Sequence, residues 1–111
     1  MNRSLENYLK HIFKLQKKEN KAVKPWILSK HLGVSSPSVS EMIKKLSQEK
    51  YLDYIPYKGV KLTKKGQSIG VLMLRKYRLW KTYLYQELHM PFDRLSQEAE
   101  ALEHDTSETL L

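Results

Sequence analysis

Cysteine is absent from the 111 residues. That single gap excludes disulfides, thiolate zinc sites and cysteine nucleophiles together. No apolar run is long enough to span a bilayer or to form the core of an N-terminal signal peptide, so the chain reads as cytoplasmic, with no membrane partner. Glycine-rich phosphate loops, histidine metalloprotease motifs, internal repeats and low-complexity tracts are missing as well, which leaves an enzyme reading little to stand on. Acidic residues are scarce. Asp and Glu number 12 against 20 Lys and Arg, a net charge of +8 with a pI of about 9.6. A balance of that sign favours a polyanionic partner, either nucleic acid or an anionic surface. The length suits one modest hydrophobic core.

What is present is organised around residues 26–46, WILSKHLGVSSPSVSEMIKKL. Ile27, Leu28 and Leu32 give a short first helix an apolar side. Gly33 suits the positive φ of a helix end, and Val34 reads as an apolar plug in the turn. Ser35 or Ser36 can accept hydrogen bonds from the first-turn amides of a second helix, and Pro37 suits its opening position. Val39, Met42, Ile43 and Leu46 recur at helical spacing and are expected to face inward, leaving Ser36, Ser38, Ser40, Glu41, Lys44 and Lys45 outside. That is the layout of a helix-turn-helix, whose second helix enters the DNA major groove N-terminus first. The alternative is an ordinary helical hairpin packed into a core.

Ahead of this motif, Ser4 is expected to cap a helix ending near Lys18, with Leu5, Tyr8, Leu9, Ile12, Phe13 and Leu15 on its apolar face. Ala22 and Val23 suggest a very short strand, and Pro25 the first turn of the next helix. After Leu46 the period changes. Tyr51, Leu52, Tyr54 and Ile55 are strand formers, Pro56-Tyr57-Lys58-Gly59 is turn chemistry, and Val60-Lys61-Leu62 returns, which together predict a β-hairpin wing. Tyr57, Lys58 and Lys61, with Lys64 and Lys65 beyond, form a basic and aromatic cluster suited to phosphates.

Thr63 then caps a long helix over residues 63–88. Its inward positions are Ile69, Leu72, Met73, Leu79, Trp80, Tyr83 and Leu84, with Arg75, Lys76, Arg78 and Lys81 opposite. Such a helix outgrows a winged helix, so part of it is expected to meet a second copy of the chain. Residues 92–104 predict another helix with Leu95, Ala99 and Leu102 as its buried stripe. Thr106 or Ser107 opens a further helix that the chain does not complete, so the dimerisation region is expected to be incomplete. Glu98, Glu100, Glu103, Asp105 and Glu108 make this segment acidic and therefore suited to a task other than binding DNA. The expected fold class is mainly α: a winged helix-turn-helix with a short β-hairpin wing over residues 1–62, then a long helix and a C-terminal helical dimerisation segment over residues 63–111.

Five segments, SLENYLKHIF, VSSPSVSEMIKKL, YKGVKLTKKG, RKYRLW and AEALEHD, occur in an order that resembles the diphtheria-toxin-repressor and manganese-transport-regulator family of metal-dependent repressors. The resemblance covers nearly the whole chain. It implies a divalent metal, Mn²⁺ or Fe²⁺, bridging the first helix to the later helices and setting two recognition helices at the spacing of a palindromic operator. Carried over residue by residue, it implies Glu100, Glu103 and His104 as metal ligands. The first helix departs from the pattern, with Asn7 where the manganese regulators carry an aspartate and Lys10 where they carry a glutamate. Tyr77 stands in place of a histidine, and Lys81 in place of a glutamate of the iron regulators.

Those departures bear on chemistry. Mn²⁺ and Fe²⁺ need several anionic or imidazole ligands in a roughly octahedral shell. Asn7 lends only a carbonyl oxygen, and Lys10 brings a positive charge beside the cation. His11, His89 and Asp105 are substitute ligands by residue type. A second arrangement has Lys10, with Lys81, pairing with Glu100 or Glu103 in place of the metal, so a working but altered site and a form with no cofactor both stay open.

The function expected is a homodimeric, sequence-specific DNA-binding transcriptional regulator, a repressor. Ser36, Pro37, Ser38 and Ser40 are expected nearest the base edges and the phosphates at the groove, with Ser35 beside them among the DNA-binding residues, and Lys44, Lys45, Tyr57, Lys58 and Lys61 on the phosphates. The alternatives are a metal-independent winged-helix regulator and a winged-helix module that contacts protein, which would show an apolar patch on the recognition helix or wing. His31 reads as a partly exposed polar position.

Overall fold

The first helix, α1 (Arg3–Glu19), opens on Asn2, whose side chain accepts a hydrogen bond from the Leu5 N–H at 2.9 Å. Ser4 was expected to cap it and does not, because it already lies inside the first turn while Asn2 has the extended backbone of a cap. The computed structural model describes residues 2–111. After α1 come α2 (Pro25–Leu32), α3 (Ser36–Gln48), β1 (Leu52–Ile55), β2 (Gly59–Leu62), α4 (Lys64–Gln86) and α5 (Phe92–Glu103). Among the described residues no helix is long and apolar enough to cross a membrane. The chain divides into two units, one ending at Gly70 and one covering Val71–Leu111.

In the first unit, Leu5, Tyr8, Leu9 and Ile12 of α1 are buried together with Leu28, Val39, Ile43, Leu46, Leu52, Val60 and Leu62, and Phe13, Leu15, Ile27 and Met42 pack against them. These are the apolar stripes of three short helices and one face of a hairpin. None of them could bury its stripe alone. The strands β1 and β2 pair antiparallel, Leu52 opposite Leu62 and Tyr54 opposite Val60. Val23 adds a one-residue third strand, exchanging hydrogen bonds with Val60 at 2.9 and 2.8 Å. Gly59 permits that approach. It has φ of +117°, and a Cβ there would come within 2.3 Å of the Val23 carbonyl oxygen. Gln16 Oε1 accepts from the Leu62 N–H at 2.9 Å and ties α1 to β2.

In the second unit, Leu84, Leu95 and Ala99 form a small buried cluster covered by Tyr77, Trp80 and Met90. The Tyr77 hydroxyl donates to Ser96 Oγ at 3.0 Å, and the Trp80 indole N–H donates to the Thr106 hydroxyl. Two expected faces are corrected here. On α4, Leu79 and Tyr83 are exposed, whereas Leu74 and the expected outward Lys76 are buried. On α5 the buried stripe runs Leu95, Ala99, Glu103, four residues apart at each step, and Leu102 is exposed. Past α5, residues 108–110 form a turn, with Leu110 N–H bonded to the Ser107 carbonyl at 3.2 Å, where a further helix was expected to begin.

Candidate nucleic-acid interface

The turn between α2 and α3 is built from local hydrogen bonds. Gly33 takes φ of +67° at the end of α2, and both its N–H and that of Val34 bond to the Ser29 carbonyl. The Ser29 hydroxyl donates to the Val34 carbonyl in return. Val34 is exposed rather than the expected plug, because the turn is closed by Ser29 and not by apolar packing. Ser35 then caps α3. Its Oγ accepts from the Ser38 N–H at 3.3 Å and donates to Ser38 Oγ at 2.9 Å. Pro37 falls in the first turn, where a missing N–H costs nothing.

Val39, Ile43 and Leu46 anchor α3 in the core, which turns Ser36, Pro37, Ser38, Ser40, Glu41, Lys44 and Lys45 to solvent. The exposed N-terminal half of α3 thus carries only small side chains and one carboxylate, and its C-terminal half carries two lysines. Beside it runs an open groove of about 430 Å³ lined by Pro25, Ser40, Ile43, Lys44, Ser47, Gln48 and Tyr54. Tyr54, more than half exposed, lines this groove in addition to its expected part as a strand former. Its signal was the strand alternation, which puts it on the same side of β1 as the buried Leu52 and so toward α3. Trp26, also more than half exposed, opens α2 next to Pro25.

The helix α3 ends with Lys50 at φ of +64°, the Lys50 N–H on the Ser47 carbonyl at 3.0 Å and the Tyr51 N–H on the Leu46 carbonyl at 2.9 Å. These two bonds and the left-handed residue make a Schellman motif, which fixes the angle at which β1 leaves the helix. At the hairpin tip the Lys58 N–H bonds to the Ile55 carbonyl at 3.0 Å, with Pro56 and Tyr57 between them. Tyr57 has φ of +66° and is 97% exposed. A type II turn with proline at its second position demands positive φ at its third, where glycine is usual.

The basic cluster of the wing divides. Lys58 is exposed at the tip. Lys61 stands opposite Asp53 across the strands and lines a separate cleft of about 190 Å³ with Phe13, Gln16, Lys17, Asn20, Lys21 and Gln67. Lys65 is engaged structurally, its Nζ 3.1 Å from the Glu49 carbonyl and 4.2 Å from the centre of the Tyr51 ring.

The residues named for metal binding lie on two elements. On α5, Glu100 is half-buried, Glu103 is fully buried, and His104 caps the helix with Nε2 3.9 Å from Glu103 Oε1. On α1, Asn7 Oδ1 is buried without a hydrogen-bond partner, and Lys10 is 2% exposed. Among the described residues no group of three or more His, Cys, Asp or Glu is arranged to hold a metal. On α1 itself, Asn7 and Lys10 offer a neutral oxygen and a cationic side chain, neither of them the anionic or imidazole donor that Mn²⁺ or Fe²⁺ favours.

Residues 1–60 match the family model of the iron dependent repressor N-terminal DNA binding domain, and residues 63–111 that of the iron dependent repressor metal binding and dimerisation domain. The chain belongs to the iron-dependent repressor family. It is 35% identical over its whole length to an uncharacterised HTH-type transcriptional regulator, MJ0568, of Methanocaldococcus jannaschii, covering 89% of that protein. To the HTH-type transcriptional regulator MntR of Bacillus subtilis it is 29% identical over 104 residues, 94% of this chain and 72% of MntR. Among solved structures, a manganese-dependent transcriptional repressor in complex with manganese is similar at 35% identity and a TM-score of 0.84, over 96% of this chain and 48% of that one. The IdeR of T. acidophilum is similar at 28% identity and a TM-score of 0.82, over 95% and 49%. The chain thus spans about half the length of these solved family members. The family is one of metal-dependent transcriptional repressors, and the winged helix of this member is its DNA-binding domain.

Proposed function

We propose that this chain acts as a sequence-specific repressor that binds a palindromic double-stranded operator as a homodimer, α3 of each protomer entering a major groove. The observation that carries this reading is the exposed face of α3. Ser36, Pro37, Ser38 and Ser40 are short enough for the helix to approach base edges closely, and Lys44 and Lys45 follow where phosphates border the groove. Ser35 holds the N-terminus of α3 in place, and Tyr57 and Lys58 reach the flanking backbone, with Lys61 the more distant contributor. A protein-binding module would need an apolar patch on α3 or the wing; the exposed residues of α3 are polar or charged apart from Pro37, and the exposed tyrosines of the wing, Tyr54 and Tyr57, stand among Asp53, Lys58 and Lys61. No catalytic role is assigned, and the place of action is the cytoplasm, with the DNA.

Dimerisation in this reading uses the unit Val71–Leu111, where Tyr83, Tyr85, Leu88 and Phe92 leave an exposed apolar surface. Metal control is altered. At the position where the resemblance to the manganese regulators implies a glutamate ligand, α1 carries the buried Lys10, and Asn7 offers a neutral oxygen in place of a carboxylate. Binding to an operator fragment, selected from a random duplex pool and followed by fluorescence anisotropy with and without chelator, tests both parts. Salt-sensitive binding to one palindrome that survives chelator is expected. Binding lost in chelator and restored by Mn²⁺ or Fe²⁺ would return the chain to ordinary metal control, and failure to select any duplex would remove the DNA reading.

A further inference from the structure

Two imidazoles meet where α1 and α2 come together. His11 Nδ1 lies 3.0 Å from His31 Nε2, and the rings stand edge to face with centroids 4.9 Å apart and planes at 62°. Neither histidine belongs to the apolar cluster to which both helices contribute, so the core does not account for the pair. His31 is exposed, and the pair is therefore open to solvent. At this separation one ring N–H donates to the lone pair of the other, which requires at least one neutral imidazole. Burial, then the charges of Lys14 and Lys18, push the His31 pKa below its ordinary 6.5, so protons compete weakly for its lone pair at neutral pH; the same two lysines oppose a bound cation, which restricts the site to ions with high affinity for imidazole.

We propose that His11 and His31 form a two-histidine site for a borderline divalent ion, Cu²⁺ foremost and Ni²⁺ or Zn²⁺ after it. Metal–nitrogen bonds of about 2.0–2.1 Å hold cis nitrogens about 2.9 Å apart at a right angle and about 3.3 Å apart at the tetrahedral angle. The observed 3.0 Å falls within that span. Binding needs little movement of either helix. The ion takes the place of the shared hydrogen: the donor nitrogen gives up its proton, the other nitrogen of that ring takes one from water, and water fills the remaining coordination positions. Both imidazoles end neutral, and no net proton is released. An all-imidazole donor pair favours ions late in the first transition row, unlike the oxygen-rich shell that Mn²⁺ or Fe²⁺ prefers. Such a bridge joins α1 to the first helix of the helix-turn-helix, and its existence does not depend on the DNA reading.

Titration of Cu²⁺ alone into the full chain, followed by electron paramagnetic resonance, tests the site. One equivalent is expected to bind with superhyperfine structure from two nitrogens. His31→Gln should lose one of those nitrogens and bind about tenfold more weakly or worse, as expected for removal of one of two protein ligands. His104→Gln should keep the two-nitrogen signal, and circular dichroism confirms that each variant is folded. Cu²⁺ should also raise the melting temperature of the native chain and not that of His31→Gln. An unchanged copper spectrum and affinity in His31→Gln would assign the metal to another group and overturn the proposal. So would the absence of a two-nitrogen species in the native chain.

Discussion

Lys50 and Tyr57 both hold left-handed backbone without being glycine, at φ of +64° and +66°, and the reasons differ. Lys50 completes the Schellman end of α3, a structural task that glycine performs with less strain. Tyr57 stands at the tip of the wing with its side chain almost wholly in solvent, where nothing in its own unit repays the strain. Left-handed backbone costs a side-chain-bearing residue about 1–2 kcal/mol. Lys50→Gly and Tyr57→Gly are therefore each expected to raise stability by about 1 kcal/mol in urea denaturation. Only Tyr57→Gly should weaken operator binding. Equal affinity in the two variants would make Tyr57 a spectator. His31 supplies a pH dependence. Its pKa is lowered in the folded chain, by burial first and then by Lys14 and Lys18, so the unfolded chain binds the proton more readily. The stability this contributes is present above the ordinary histidine value of 6.5 and is lost as pH falls below it. Chemical denaturation at a series of pH values should show that decline, and His31→Gln should flatten it.

At the scale of elements, the wing is two-sided. Lys58 is at the exposed tip, whereas Lys61 faces Asp53 and the lysines at the end of α1. Each phosphate neutralised by a lysine adds about 0.9 to the slope of log affinity against log salt. Lys58→Ala is thus expected to flatten the slope by roughly that amount. Lys61→Ala should change it less, and equal effects would mean that the hairpin lies deeper on the DNA than its tip. The helix-turn-helix was legible in the residues because its signals are local: Gly33 at a left-handed turn, Ser35 or Ser36 as cap, Pro37 in the first turn, and apolar positions every three or four residues; the structure selects Ser35. The cap of α1 is Asn2 and not the expected Ser4, since both residue types cap helices and only the backbone angles at the helix start decide.

At the scale of the whole molecule, the net charge of +8 and the exposed aromatic surface of the second unit suit different partners in the function we propose. The charge suits a polyanion. Tyr85, Leu88 and Phe92, all more than half exposed, suit a second copy of the chain. Replacing Tyr85 and Phe92 together with glutamate should yield monomers by analytical ultracentrifugation, with an unchanged far-ultraviolet circular dichroism spectrum and weakened operator binding. A dimer that persists would place the contact elsewhere.

The residues by themselves determined the winged helix, the long α4 and the family, because capping, turn chemistry and apolar period are properties of neighbours along the chain. They also exposed the altered positions Asn7, Lys10 and Tyr77. Only the tertiary structure decided which faces are covered. On α4 and α5 apolar residues recur on more than one side, and a step of one residue turns a helix by about 100°. Which of Leu102 and Glu103, or of Leu74 and Leu79, is buried therefore depended on packing rather than on period. The same holds for His11 and His31. They are 20 residues apart on two helices, and no local pattern brings their nitrogens together; the shared core to which α1 and α2 both contribute does.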